Sequence, residues 1–128
     1  DFMARAHRWR KMAGGGMRQA GILAAAALHA LEHHVDRLAE DHSNARRLAA
    51  GLEGLPGVSV EAPASNIVFV DVPADRAGGL LEHLKSRGVL ATGLYRLRFV
   101  THLDVDAAGI DRAVATMREY LTREDKQT

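Results

Sequence analysis

The stretch Asn66-Ile67-Val68-Phe69-Val70-Asp71-Val72, closed by Pro73, decides the fold. It is dominated by β-branched and aromatic residues, the composition that suits a pleated, buried surface, and proline ends such a run because it has no N–H to give a ladder. We therefore predict a well-buried strand here. Just upstream, Val58-Ser59-Val60-Glu61 alternates in polarity and predicts a second, shorter strand. Gly54-Leu55-Pro56-Gly57 separates that strand from a long stripe beginning near Val35. In the stripe, Leu38, Ala39, His42, Ala45, Leu48, Ala49, Leu52 and Leu55 recur every three or four residues, opposite a charged face. This is an amphipathic helix, stopped by a glycine and then a proline.

Downstream, Leu80, Leu81 and Leu84 form a shorter stripe between Asp75 and Arg87, ending at Gly88, although Gly78-Gly79 weakens its first turn. Val89-Leu90-Ala91 and Leu97-Arg98-Phe99-Val100-Thr101 read as strands around a turn at Gly93. Asp104 then offers a cap for a last helix whose inward stripe is Ile110, Ala113, Val114, Met117 and Leu121, with a frayed tail from Arg123 to Thr128. The order strand, strand, helix, strand, strand, helix predicts an α+β fold, a small and mainly antiparallel sheet with helices packed on one face.

The N-terminal part differs. Residues 1–16 are basic and end in Gly14-Gly15-Gly16, whose backbone freedom marks a loop. From Met17 the residues Ile22, Leu23, Ala26, Ala27 and Leu31 predict a long apolar helix with few charges, which expects cover on several sides. The chain starts Asp1-Phe2-Met3 and shows neither a signal nor a transit pattern, so it reads as cut from something longer.

Composition excludes several classes. With 47% hydrophobic and 26% charged residues, the 128-residue chain has the content of a globular domain rather than a disordered one. Seventeen basic side chains against sixteen acidic ones leave a formal net charge of +1, so no general field attracts nucleic acid or membrane. The absence of cysteine removes disulfides, thiol nucleophiles and thiolate metal ligands, and it suits the cytoplasm. Ala20 to Leu31 is the longest apolar stretch and falls well short of the roughly 20 residues that span a bilayer.

Three features could carry chemistry. Arg8-Trp9-Arg10-Lys11-Met12-Ala13-Gly14-Gly15-Gly16-Met17-Arg18-Gln19 sets basic side chains around a glycine loop that opens a helix. Such a loop can cradle a phosphate or carboxylate, or it can simply be a basic turn between helices. It has neither the glycine-lysine-serine/threonine order of a P-loop nor the preceding strand of a dinucleotide fingerprint. Arg98 interrupts an apolar strand, so it either grips a carboxylate with its planar fork or alternates outward from an edge strand between Leu97 and Phe99. His29 and His33 share a helix face at a spacing metal ligands use, but no third ligand accompanies them. His34 and His42 likewise read as surface or structural groups, and no metal site is expected. His102 reads as a turn hydrogen-bonding group, and Glu40, Asp41, Glu53 and Glu119 as solvated charges on helix faces.

Taken together, the segment from Arg8 to Leu23, Asn66-Ile67-Val68-Phe69-Val70 and Arg98-Phe99-Val100-Thr101-His102-Leu103-Asp104 resemble the C-terminal part of low-specificity L-threonine aldolases. The resemblance spans nearly the whole chain, and its most specific piece is the Arg8–Gly21 segment. It implies a fold-type-I enzyme that uses pyridoxal 5'-phosphate to cleave L-threonine or L-allo-threonine to glycine and acetaldehyde, usually as a homotetramer. It implies residues 1–33 at a junction between large and small domains, and residues 34–128 as the C-terminal small domain. Arg98 matches the arginine that grips the substrate carboxylate and Lys11 a lysine near the site, while Arg18 would lie near the cofactor phosphate, with reach across a subunit interface.

The same resemblance puts the cofactor-anchoring lysine, the cofactor-stacking histidines, the aspartate for the pyridine nitrogen and most of the phosphate cup upstream of Asp1. No catalytic group is therefore expected among these 128 residues, and the isolated chain is expected to be inactive. The alternative is a non-catalytic module that binds anions and oligomerises.

Overall fold

A computed structural model describes residues 1–124. Its contacts divide the chain into two compact units, Asp1–Asp36 and Arg37 onward.

The first unit holds two helices. Helix α1, Phe2–Met12, lies where the sequence suggested only a basic segment. Phe2, Ala6, Trp9 and Met12 recur along it every three or four residues, a stripe masked by the basic side chains around it. Arginine, alanine, methionine and lysine favour helix intrinsically, and the Asp1 carboxylate caps it by accepting from the Met3 N–H at 3.1 Å. It ends as the Gly15 N–H donates to the Arg10 carbonyl at 2.8 Å, with Gly14 at φ 86°, a conformation glycine adopts freely. Helix α2, Gly21–His33, has 13 residues and is shorter than the long apolar helix expected from Met17. The loop runs on through Met17 to Ala20, and Gln19 at φ 47° breaks helical geometry just before α2 begins. Neither helix buries a residue.

The second unit carries the core. In chain order it contains α3 (Leu38–Leu52), β1 (Ser59–Val60), β2 (Ile67–Asp71), α4 (Ala74–Ser86), β3 (Arg96–Val100) and α5 (Ala107–Glu124). The strands form one antiparallel sheet in the order β1-β2-β3, as expected for an α+β fold. Val68 and Val70 of β2, with Leu97 and Phe99 of β3, point to one face, where Leu48, Leu52, Leu80, Leu84, Met117 and Leu121 of the helices cover them. Each such side chain contributes on the order of 2 kcal/mol by leaving water. β2 alternates strictly, so Ile67, Phe69 and Asp71 lie half-buried on the other face rather than in the core.

Two local expectations are corrected. Val89-Leu90-Ala91 is not a strand, because the Val89 N–H is spent on the Leu84 carbonyl at the end of α4, and only Thr92 bridges to Arg98. The cap of α5 is Asp106 rather than Asp104, its carboxylate accepting from the Gly109 N–H at 2.8 Å. Of the expected frayed tail, Arg123 and Glu124 belong to α5, and the remaining residues lie outside those described.

Candidate functional site

The outer face of the sheet is built by period-two alternation. Because Leu97 and Phe99 face the core, Arg96 and Arg98 must face outward together from β3, which is an edge strand. Their environments differ. Arg96 reaches diagonally over Phe69, its guanidinium carbon 4.8 Å from the ring centroid, and pairs with Glu61 just beyond β1. Arg98 lies directly opposite Phe69 in the register, is exposed, and has no side-chain ion pair or hydrogen bond among the described residues. Its backbone is fixed on both sides, by β2 and by reciprocal bonds with Thr92 at 2.7 and 3.2 Å. The result is a rigidly based, unneutralised fork on a face whose other arginine is already paired. Such a group can hold a planar carboxylate in two parallel hydrogen bonds.

Beside Phe69 and Glu61 the face has a hollow of about 170 Å³, bordered by Pro63, Ser65 and Ile67. The strand ends are tied below it. Thr101 accepts the Asn66 side-chain amide on its carbonyl at 2.8 Å, and its own hydroxyl donates to the Asp41 carbonyl at 2.7 Å. Asp41, expected to be solvated, is buried instead, gripped by both nitrogens of the Arg37 fork at 3.1 and 2.8 Å. Helical periodicity alone could not reveal that i,i+4 pairing as a buried one, because it depends on the chain that covers it.

In the first unit Lys11 stands in the last turn of α1 and Arg18 in the loop before α2, both exposed. Lys11 folds back over the glycine loop so closely that a Cβ on Gly16 would fall 2.6 Å from its Nζ. Residues 1–18 carry five Arg or Lys side chains against the single carboxylate Asp1, which is spent as a cap. The start of α2 has no side-chain cap, so its first N–H groups stay open beside Arg18. This donor set suits a phosphate: free cations, unpaired amides and no competing acid.

The remaining titratable groups do other work. His29 lies against His33 and His34 with ring centroids at 4.5 and 5.3 Å, yet no cluster of three or more metal-ligating side chains occurs among the described residues. His102 accepts from the Asp104 N–H at 3.3 Å, the expected turn bond. Burial pushes the Glu119 carboxyl up, but the hydrogen bond from Arg87 and the charges of Arg123, Arg87 and His83 outweigh it, leaving Glu119 below the usual range. The hydrogen bond from Arg47, reinforced by its charge, holds Asp111 below the usual range too.

Known proteins extend these observations. A low-specificity L-threonine aldolase of Escherichia coli is 46% identical over 123 residues, covering 96% of this chain and 37% of the relative. An Arabidopsis thaliana low-specificity L-threonine aldolase is 34% identical over 133 residues, covering 93% of this chain and 37% of its own length. The chain thus spans little more than a third of these relatives. An ornithine aminotransferase of Toxoplasma gondii, 17% identical, superposes with a TM-score of 0.54 over 73% of this chain and 24% of its own, a likeness of fold alone. The beta-eliminating lyase family matches residues 1–75, more than half of the chain, and the chain belongs to that family.

Proposed function

We propose that these residues are the C-terminal part of a pyridoxal-phosphate-dependent aldolase, a carbon-carbon lyase that cleaves L-threonine and L-allo-threonine to glycine and acetaldehyde. The observation that carries the reading is Arg98, an exposed and unneutralised guanidinium on a fixed strand within a segment closely similar to threonine aldolases. Its role is to hold the substrate carboxylate in a two-point grip, which fixes the orientation of the bond to be broken. Lys11 adds positive charge near the site, and Arg18 with the open start of α2 contributes to binding the cofactor phosphate, across a subunit interface in the assembled enzyme. When bound, pyridoxal 5'-phosphate supplies the electron-withdrawing ring that makes cleavage between the α and β carbons possible.

Residues 1–33 serve as the junction to a larger domain and residues 34–128 as the small domain. The lysine that anchors the cofactor belongs, by resemblance, to the upstream part, so the chain alone is inactive. Ile22 and Leu31, exposed at 83% and 67% on a helix that buries nothing, support assembly into a homotetramer. No helix among the described residues is long and apolar enough to cross a membrane, and neither membrane nor nucleic acid is a partner in this reading, which assigns the enzyme to the cytoplasm.

A second reading, a non-catalytic anion-binding and oligomerising module, is favoured only by the open cationic loop and exposed α2 of the first unit. The deciding experiment measures glycine and acetaldehyde from threonine for this chain and for an extended subunit carrying the upstream part. Activity is expected only in the extended subunit, and turnover by the short chain would contradict the assignment. In the extended subunit Arg98→Ala should raise the KM for threonine roughly 10- to 100-fold, the usual worth of a charged hydrogen bond; an unchanged KM refutes the carboxylate role.

A further inference from the structure

Phe69 occupies an unusual position on the outer face. Opposite residues of an antiparallel pair have Cβ atoms about 4.5–5.5 Å apart, so Phe69 is the direct cross-strand neighbour of Arg98 on the β2 side, as Thr92 is on the other. A phenylalanine left alone there would be free to turn away. It is not alone, because the Arg96 guanidinium lies over its ring at 4.8 Å and is itself held by Glu61, so that Arg96 straps across the middle strand from β3 toward β1. Glu61 is anchored in turn, its backbone N–H donating to the Phe69 carbonyl at 3.1 Å. The strap therefore covers the Phe69 ring with a guanidinium held at its far end by Glu61. It also neutralises Arg96, leaving Arg98 as the outward guanidinium of β3 without a partner among the described residues.

We infer that Phe69, clamped by the Arg96–Glu61 pair, is a positioning residue that sets the reach and direction of Arg98. This rests on the reading of Arg98 as the carboxylate-binding group. A long arginine stem has several rotamers, and an anion gains most from a fork that is already aimed when it arrives. The flat ring gives the aliphatic stem of Arg98 a fixed surface to lie along, which a branched aliphatic side chain does not.

The test uses the extended subunit, with threonine kinetics, glycine affinity by calorimetry and a thermal melt for each variant. Phe69→Leu keeps an apolar group but removes the flat surface, and should raise the KM for threonine and the Kd for glycine about fivefold with kcat within about twofold. Phe69→Tyr restores the ring and should bring both constants back within about twofold of the parent. Glu61→Gln, which loosens the strap without touching the ring, should raise them by about two- to threefold. In an Arg98→Ala background, Phe69→Leu should add nothing further, because its effect passes through Arg98.

If Arg98→Ala raises the KM but Phe69→Leu and Glu61→Gln do not, the positioning role is overturned while the carboxylate assignment stands. If Arg98→Ala leaves the KM unchanged, the underlying reading fails. Additive effects in the double variant would mean that Phe69 acts independently of Arg98, which also overturns the inference. Should Phe69→Leu fail to fold, as the melt would reveal, Glu61→Gln decides alone.

Discussion

Helix α2 and helix α5 belong to units built on opposite terms. The sequence of α2, Gly-Ile-Leu-Ala-Ala-Ala-Ala-Leu-His-Ala-Leu-Glu-His, is apolar almost all round yet buries no residue. That of α5 is studded with charge, yet Ile110, Ala113, Met117 and Leu121 are all core residues. Apolar content therefore does not decide burial. What decides it is a complementary face: α5 has α3 and α4 beside it and shares their core with the sheet, whereas the first unit provides no such surface for α2.

The comparison can be broken most directly with a leucine deletion in each unit. Leu52→Ala should lower the unfolding free energy by about 2–5 kcal/mol, whereas Leu23→Ala, at 59% exposure, should change it by less than about 0.5 kcal/mol in urea titrations of this chain. Equal losses would mean that α2 is covered after all. A glycine pair sharpens the point. At Gly51 of α3 a Cβ would fall 2.7 Å from the Val114 side chain of α5, so Gly51→Ala should cost about 1–3 kcal/mol. A Cβ on Gly21 meets nothing within 4 Å, and Gly21→Ala should be neutral or stabilise α2 by up to about 1 kcal/mol, read by circular dichroism. Opposite signs are expected from one and the same substitution.

Smaller still is the cap of α5. Asp106→Ala should cost about 1 kcal/mol in the same titration, and Asp104→Ala less than about 0.5 kcal/mol, since Asp104 caps nothing. The smallest effect expected is a pH dependence confined to the second unit. Because Asp111 is held below its usual range by Arg47, its contribution is fully present above the ordinary carboxylate pKa of about 4 and fades as the pH falls through the lower folded value. Thermal melts between about pH 2 and 6 should show a shallower acid-side loss for Asp111→Asn than for the parent.

The second unit was legible in sequence because its signals are periodic. The stripes of α3, α4 and α5 and the runs of β2 and β3 each follow from one buried face, and the structure moves their ends by only a few residues. Val89-Leu90-Ala91 misled because three apolar residues look alike whether they pair as a strand or follow a helix end, and the Leu84 carbonyl claimed the hydrogen bond. Helix α1 was masked by its charge: Phe2, Ala6, Trp9 and Met12 recur at helical spacing, but Arg5, Arg8, Arg10 and Lys11 crowd around them and the segment reads as a basic turn. Of the candidate site, Arg98 stood out as a charge in an apolar run. The Phe69, Arg96 and Glu61 arrangement did not, because it joins three strands and depends on a register no local pattern discloses.

That register has one more consequence. β3 reads Arg96-Leu97-Arg98-Phe99-Val100, and a slip of one residue against β2 would turn both guanidinium groups into the oily side of the sheet while Leu97 and Phe99 met water. Few errors of assembly would be so costly. The two arginines thus disfavour the slipped register for the same reason that Leu97 and Phe99 favour the observed one.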